Sequence, residues 1–325
     1  MPEVSPSVLI IRLDAIGDAL ALTPLLAALR RRAIPVDVVL RRSNAGIFSK
    51  AAARSTLLAD FELRSNARAN LAAIERFGEE LRPRRYSRVL VATEDPSGYR
   101  LAAGIGAPVR VGFADPWGKP LKALWSRRLL TQSVYRSAGL DPRAPHECEV
   151  LFRLGAVLLD GEEPTRDPRE LRPLVLENEP PPDERIAVQV TDKWERLGIA
   201  FRDVVGMIQR ISATGSLHLL SARGEAAYGE RIAESTGLRV TYFDEFAPWK
   251  AAIGAATAIV TPDSGALHVA GMVGTPVVAV FPPDRRYELQ VARWAPWAAP
   301  HRVVRADESW PARAGEALVQ LLASC

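Results

Sequence analysis

Short β-branched runs alternate with longer Ala- and Leu-rich stretches along this chain, in two blocks parted by a proline-rich interval. In the first block, Val8-Leu9-Ile10-Ile11 leads through a Gly-containing turn into an apolar stretch over 19–32, a β-loop-α unit. Strands are predicted at 36–40, 88–92 and 109–113, with a helix at 71–81. Between 159 and 185 the alternation stops, and Pro164, Pro168, Pro173, Pro180, Pro181 and Pro182 stand among many charges, as in a linker. Beyond it, strands are predicted at 186–190, 217–220, 240–243, 258–261 and 277–281, with helices at 201–213, 224–236 and 249–255. A last helix at 312–323 can pack against either block.

Strands separated by helices favour a parallel sheet covered on both faces. The expected fold class is therefore α/β with two doubly wound domains. Residues 1–160 form the first, 161–185 the proline-rich linker and 186–325 the second. A chain of 325 residues, 48% apolar and 25% charged, is long enough for two cores. Each sheet carries a crevice at the carboxyl ends of its strands, so a ligand site is expected in a cleft between the domains.

The two cysteines, Cys148 and Cys325, are far apart, and no Cys/His cluster has metal-ligand spacing, which fits a reducing compartment. Residues 1–8 lack the features of a signal peptide, and residues 264–283, though uncharged, are divided by Gly265, His268, Gly271, Gly274 and Pro276. A cytoplasmic location is expected. Charge is uneven: residues 1–160 hold 24 Lys+Arg against 16 Asp+Glu, while the remainder hold 18 against 22. The basic first domain suits an anionic acceptor or a membrane surface, or is simply an arginine-rich solvated face. No aromatic-studded basic motif supports nucleic acid.

Chemistry-bearing residues cluster at predicted strand ends. The run Thr261-Pro262-Asp263-Ser264-Gly265-Ala266-Leu267-His268 passes from strand to helix, with Asp263 or Ser264 suited to the N-cap. The free amides of Ser264, Gly265 and Ala266, with the helix dipole behind them, suit a diphosphate, and His268 lies one turn in. The same residues would also serve as an ordinary cap and a core histidine. Thr191 and Lys193 follow the strand at 186–190, where a cation can neutralise phosphate oxygens; Glu225 follows the strand at 217–220, where a carboxylate can accept from a ribose. At the N-terminus, Arg12, Asp14, Gly17 and Asp18 follow the first strand, and Asp18 is a candidate general base with Asp14 as its rival. Thr23-Pro24 allows the helix to start later than Asp18.

Taken together, these motifs resemble bacterial glycosyltransferase family 9, the family of the lipopolysaccharide heptosyltransferases. Gly17-Asp18, Thr23-Pro24 and Leu29 match its first signature, and Asp263-Ser264-Gly265, His268, Ala270, Gly274 and Pro276 its last. Arg110-Val111-Gly112-Phe113, Pro145-His146-Glu147 and Lys193-Trp194 fall in order between them. The resemblance implies a GT-B architecture of two facing Rossmann-like domains and an inverting, metal-independent transfer. Asp18 would be the base and Lys193 the diphosphate ligand. Glu225 would bind ribose, and Ser264, Gly265, Ala266 and His268 the phosphates and sugar. The implied partners are a nucleotide sugar, ADP-heptose in the first place, and an anionic glycolipid or glycan acceptor at the cytoplasmic face of the inner membrane; no cofactor is implied. The absence of an Asp-x-Asp motif points the same way. Val188-Gln189-Val190-Thr191 and Glu195 depart from the family pattern and put the heptose donor in question. Rival readings are another nucleotide sugar, a nucleotide-sugar epimerase, an inactive nucleotide-binding protein and, least supported, a dinucleotide oxidoreductase, for which no strand leads into Gly-x-Gly-x-x-Gly.

Overall fold

The computed structural model describes residues 7–136 and 143–324. The chain divides into two compact units, one made of 1–140 with 147–165 and the other of 141–146 with 166–325. Each is built on a six-stranded sheet whose pairings are all parallel.

In the N-terminal unit the strands are β1 (Val8–Arg12), β2 (Val36–Arg41), β3 (Ser55–Ala59), β4 (Arg88–Val91), β5 (Val109–Ala114) and β6 (Gln132–Tyr135), in the order β3-β2-β1-β4-β5-β6. The chain winds outward from β1 in one direction and from β4 in the other, leaving a crevice at the carboxyl ends of these two neighbours. Strand β1 is buried along its whole length, which its unbroken apolar run Val8-Leu9-Ile10-Ile11 allows. The turn after β4 is tight. A Cβ on Gly98 would lie 2.4 Å from the Thr93 side chain, so glycine lets the helix Pro96–Ile105 close onto the strand.

The C-terminal unit repeats the plan with β7 (Asp183–Gln189), β8 (Leu217–Ala222), β9 (Val240–Phe243), β10 (Ala256–Pro262), β11 (Val277–Phe281) and β12 (His301–Arg305), ordered β12-β11-β10-β7-β8-β9. Its crevice lies between β7 and β10. The final helix, Trp310–Ser324, packs within this unit: Trp310, Ala314, Leu318 and Leu321 join the core beneath β7, β10 and β11. Apolar spacing alone left that choice open.

Several expectations change in detail. The proline-rich interval is not bare chain: Asp167 caps a helix, Pro168–Val175, whose Leu171, Leu174 and Val175 are buried. Strands β3, β6 and β12 were not anticipated. Strand β6 is half-exposed and Gln-Ser rich, and β3 exposes Thr56, so neither carries a strong apolar alternation. Cys148 is buried and forms no disulfide among the described residues, and Cys325 lies outside them.

Candidate functional site

The first cluster of chemistry sits where β1 and β4 end. Beyond β1 the chain forms not one helix but two, Ile16–Leu20 and Thr23–Arg31, with Pro24 in the first turn of the second. The break solves the Thr23-Pro24 problem: Thr23 donates its hydroxyl to the Leu20 carbonyl and starts the new helix. Asp18 occupies the third position of the first helix, and its Oδ2 accepts from the Ala15 amide at 3.2 Å, reaching back over the helix start. Its Oδ1 accepts from Arg12 Nη2 at 3.0 Å. The Asp18 side chain keeps 29% of its surface open. Burial pushes its carboxyl upward, with Arg12 pulling the other way.

Arg12, at the end of β1, was expected among the acceptor-side groups. Its side chain is instead 2% exposed. Its Nε donates to the Asp18 carbonyl at 2.9 Å, its Nη1 to the Ala92 carbonyl, and its Nη2 to Asp18 and Glu147, while Asp14 Oδ2 lies 3.4 Å from Nη1. Of the five N–H donors of this guanidinium, four are engaged in hydrogen bonds, and the remaining one on Nη1 has only Asp14 Oδ2 at ion-pair distance. Arg12 is therefore committed chiefly to its own unit and fixes Asp18. Asp14 flanks the same guanidinium, and its Oδ2 is buried with no hydrogen bond among the described residues. Gly17 accepts from the Ala21 amide within the short helix turn.

The ionic network continues through residues that sequence reading did not single out for a role. Glu147 is buried and accepts from Arg136 Nη2 at 2.9 Å. Arg136 approaches Glu94 Oε1 at 3.4 Å, and Lys119 and Lys122 reach Glu94 Oε2 at 2.8 and 3.3 Å. Burial opposes ionisation of Glu94, but the three cations outweigh it and hold the carboxyl down to about 2. A pocket lined by Glu94, Tyr99, Asp115, Lys119, Lys122 and Arg136 opens here. Glu94 follows β4, the neighbour of β1, and a carboxylate just past a central strand was the available signal.

The second cluster belongs wholly to the C-terminal unit, where β7, β8 and β10 end. Ser264 is the N-cap of the helix Gly265–Val273, but its hydroxyl pairs with Thr261 Oγ1 at 2.9 Å and makes no cap bond to the helix. The first-turn amides of Gly265, Ala266 and Leu267 thus have no side-chain acceptor among the described residues, and Gly265 remains partly exposed. Asp263, just before, is pushed upward by burial and pulled back by Lys193. His268 Nε2 lies 3.9 Å from Asp263 Oδ1, and its ring meets Trp294 edge-on at 5.5 Å. Burial, reinforced by Lys193, drives the His268 imidazole down to about 3, so it is neutral near pH 7.

Lys193 is positioned by its neighbour. Trp194 is fully buried, donates Nε1 to the Gln189 carbonyl at 2.9 Å and stacks on Trp310 at 5.7 Å. This pins the turn after β7 and leaves Lys193 partly exposed, with no ion pair for its ammonium among the described residues. Thr191 caps the turn by accepting from the Lys193 amide and donates its hydroxyl to Glu225 Oε1 at 2.8 Å. Burial raises the Glu225 carboxyl. Thr191, Lys193, Glu225, Asp263, Ser264, Gly265, Ala266 and His268 therefore all lie at one edge of one sheet. A dinucleotide loop is absent from the starts of both sheets.

The comparisons agree with this architecture. The family model for glycosyltransferase family 9 (heptosyltransferase) matches residues 241–318. Among solved structures, the chain is similar to a glycosyl transferase family 9 protein from Veillonella parvula, with 14% identity over 100% of this chain and 99% of that one and a TM-score of 0.76. It is similar to the E. coli ADP-heptose lps heptosyltransferase II, at 18% identity over 98% and 99% with a TM-score of 0.70. It is similar also to E. coli heptosyltransferase WaaC with ADP, at 17% identity over 97% and 99% with a TM-score of 0.71. No curated protein sequence matches. The shared fold is GT-B-like, with two Rossmann-like domains.

Proposed function

We propose, for a chain of glycosyltransferase family 9, that it moves a sugar with inversion from a nucleoside diphosphate, ADP-heptose in the first instance, to a hydroxyl of an anionic glycolipid of the lipopolysaccharide-core type. The observation that carries the donor half is an unpaired lysine beside an uncapped helix start. Lys193 and the amides of Gly265 and Ala266 offer a cation and oriented N–H donors at a sheet's switch point, the chemistry that a diphosphate needs. Glu225, held by the Thr191 hydroxyl at the same sheet edge, offers a carboxylate that can accept from a ribose hydroxyl. The ADP bound to a solved heptosyltransferase of the same fold supports the nucleotide.

In the acceptor half, the Asp18 carboxylate takes the proton of the attacking hydroxyl as its oxygen bonds to the anomeric carbon. The bond from that carbon to the diphosphate breaks, and the electron pair leaves with the phosphate. Lys193 and the helix terminus stabilise the charge that develops there, so the reaction calls for no divalent ion. Neutral His268 can donate or accept one hydrogen bond without adding charge. The substrates place the reaction at the cytoplasmic face of a membrane.

The test is turnover of ADP-heptose with and without a lipopolysaccharide-core acceptor, for the parent chain and Asp18→Asn. Acceptor-dependent release of ADP, reduced roughly 10²–10⁴-fold by Asp18→Asn with donor binding retained, is the expected result. An isomerised nucleotide sugar formed without acceptor would identify an epimerase instead. Turnover unaffected by Asp18→Asn would remove Asp18 as the base.

A further inference from the structure

The chain between β5 and β6 packs Trp125 and Leu129 inward against the core yet leaves other large apolar side chains in solvent. Its helix, Pro120–Ser126, buries Ala123 and the hydroxyl-bearing Ser126 and turns its leucines outward: Leu121 is 83% exposed and Leu124 58%. Three residues before the helix, Trp117 is 84% exposed, and Tyr135 on β6 is 54% exposed. These are four of the six large hydrophobic side chains that the described residues expose. Trp117, Leu121 and Leu124 recur at spacings of four and three, so the two leucines share one helix face and the tryptophan precedes it in the same phase.

The charge of this segment has a single sign. Residues 116–140 contain Lys119, Lys122, Arg127, Arg128 and Arg136 and no Asp or Glu. Lys119, Lys122 and Arg136 are drawn to Glu94. Arg127 and Arg128 are exposed, directly follow the leucine helix and make no ion pair among the described residues. An exposed tryptophan and two leucines bordered by unpaired arginines form the composition of an interfacial anchor, in which apolar side chains enter the headgroup boundary and cations meet anionic lipid. A protein partner would be expected to bring acidic groups to this rim; a bilayer supplies them as phosphates and is apolar directly beneath.

We infer that the Trp117–Arg128 segment docks this protein on an anionic lipid bilayer, with Trp117, Leu121 and Leu124 inserted and Arg127 and Arg128 at the phosphates. The inference does not depend on the transfer reaction, but a lipid-linked acceptor would be met on that surface.

Flotation of the full chain with vesicles tests it, using mixed phosphatidylethanolamine and phosphatidylglycerol against pure phosphatidylcholine. The expected result is binding to the anionic vesicles, weakened on the order of tenfold or more by Leu121→Ser with Leu124→Ser and, separately, by Arg127→Ala with Arg128→Ala. Because these side chains are exposed, both double variants should melt as the parent does, which separates lost docking from lost folding. A Trp117→Phe variant should also lose the blue shift in tryptophan emission that vesicles induce. Equal binding to both vesicle types, no binding to either, or a parent dimer that the leucine variant converts to monomers would each overturn the inference. Vesicle binding of a catalytically silent protein would leave it standing while removing the transferase reading.

Discussion

Arg12→Met replaces the buried guanidinium at the end of β1 by an apolar chain of similar length. In the parent, Arg12 lies against the Asp14, Asp18 and Glu147 carboxylates and donates to the Asp18 and Ala92 carbonyls. Glu147 would keep Arg136, but Asp14 and Asp18 would face each other across an apolar side chain. Removing one partner of a buried ion pair costs about 3–5 kcal/mol. Asp14 and Asp18 retain 29% of their side-chain surface, so water can take part of the load, and the low end, about 3 kcal/mol, is appropriate. For a unit of this size that corresponds to a fall in Tm of roughly 6–12 °C. The catalytic consequence is separate. Burial already raises the Asp18 carboxyl, and Arg12 is the strongest influence opposing it. Without Arg12 the proposed base protonates at higher pH, so the acid limb of kcat/KM should move toward neutrality while donor binding, proposed for the other unit, stays unchanged. Calorimetric melting, a pH–rate profile and donor titration supply the three readings. A variant that melts within about one degree of the parent and keeps its acid limb would refute the assignment of Arg12 as the group that positions Asp18.

Lys193→Ala should raise the Kd for ADP about 10–100-fold, the loss of one charge-assisted contact, with little effect on melting because the ammonium makes no ion pair within 4 Å among the described residues; isothermal titration measures it. Stability should also depend on pH through His268. Burial holds its folded value at about 3, below the usual 6.5, so the folded form binds fewer protons than the unfolded one between these limits. The contribution is complete above pH 6.5 and is lost as pH falls, at about 1.4 kcal/mol per unit. His146, lowered to about 4 by burial, acts with the same sign. Urea unfolding at pH 7 and pH 5 should show the loss, and His268→Gln should flatten it; an equal slope in that variant would count against a neutral buried imidazole.

The two sheets were legible because their central strands are unbroken apolar runs, such as Val8-Leu9-Ile10-Ile11 and Val277–Phe281, buried on both faces. Three of the four edge strands were not: β6 shows solvent its Gln132 and Ser133, β3 exposes Thr56, and β12 reads His-Arg-Val-Val-Arg, without the alternation that marks a half-buried strand. Lys193, Asp263 and Ser264 could be singled out because each follows a strand immediately, so position along the chain stands for position in space. The distant partner of Arg12, and the network behind it, could not. Glu147 is 135 residues from Arg12, and Glu94, which meets the Arg136 that also binds Glu147, belongs to the end of a different strand; only the folded sheet brings these groups together. Arg12 shows the same limit: a cation at a strand end reads as a ligand group until the carboxylates that surround it are placed.

The two clusters treat charge in opposite ways, as the proposed reaction would require of each. A group that binds and releases an anion in every cycle has to be available, and a lysine already paired with a carboxylate would have to break that pair each time. Lys193 accordingly has no ion-pair partner among the described residues and stands near a histidine kept neutral, so the positive charge of the site is not spent before the ligand arrives. A general base has the reverse requirement. It must be held in one orientation and kept ionised despite burial, yet retain a face to accept a proton. Asp18 has Arg12 on one oxygen, the Ala15 amide on the other, and part of its surface open. Exchanging the two arrangements would disable both. A free Asp18 would lose orientation and charge to burial, and a paired Lys193 would bind diphosphate only at the expense of its partner. The rank of effects under mutation should therefore differ between the clusters: loss of Lys193 should weaken binding and spare folding, whereas loss of Arg12 should damage folding and proton uptake and spare donor binding.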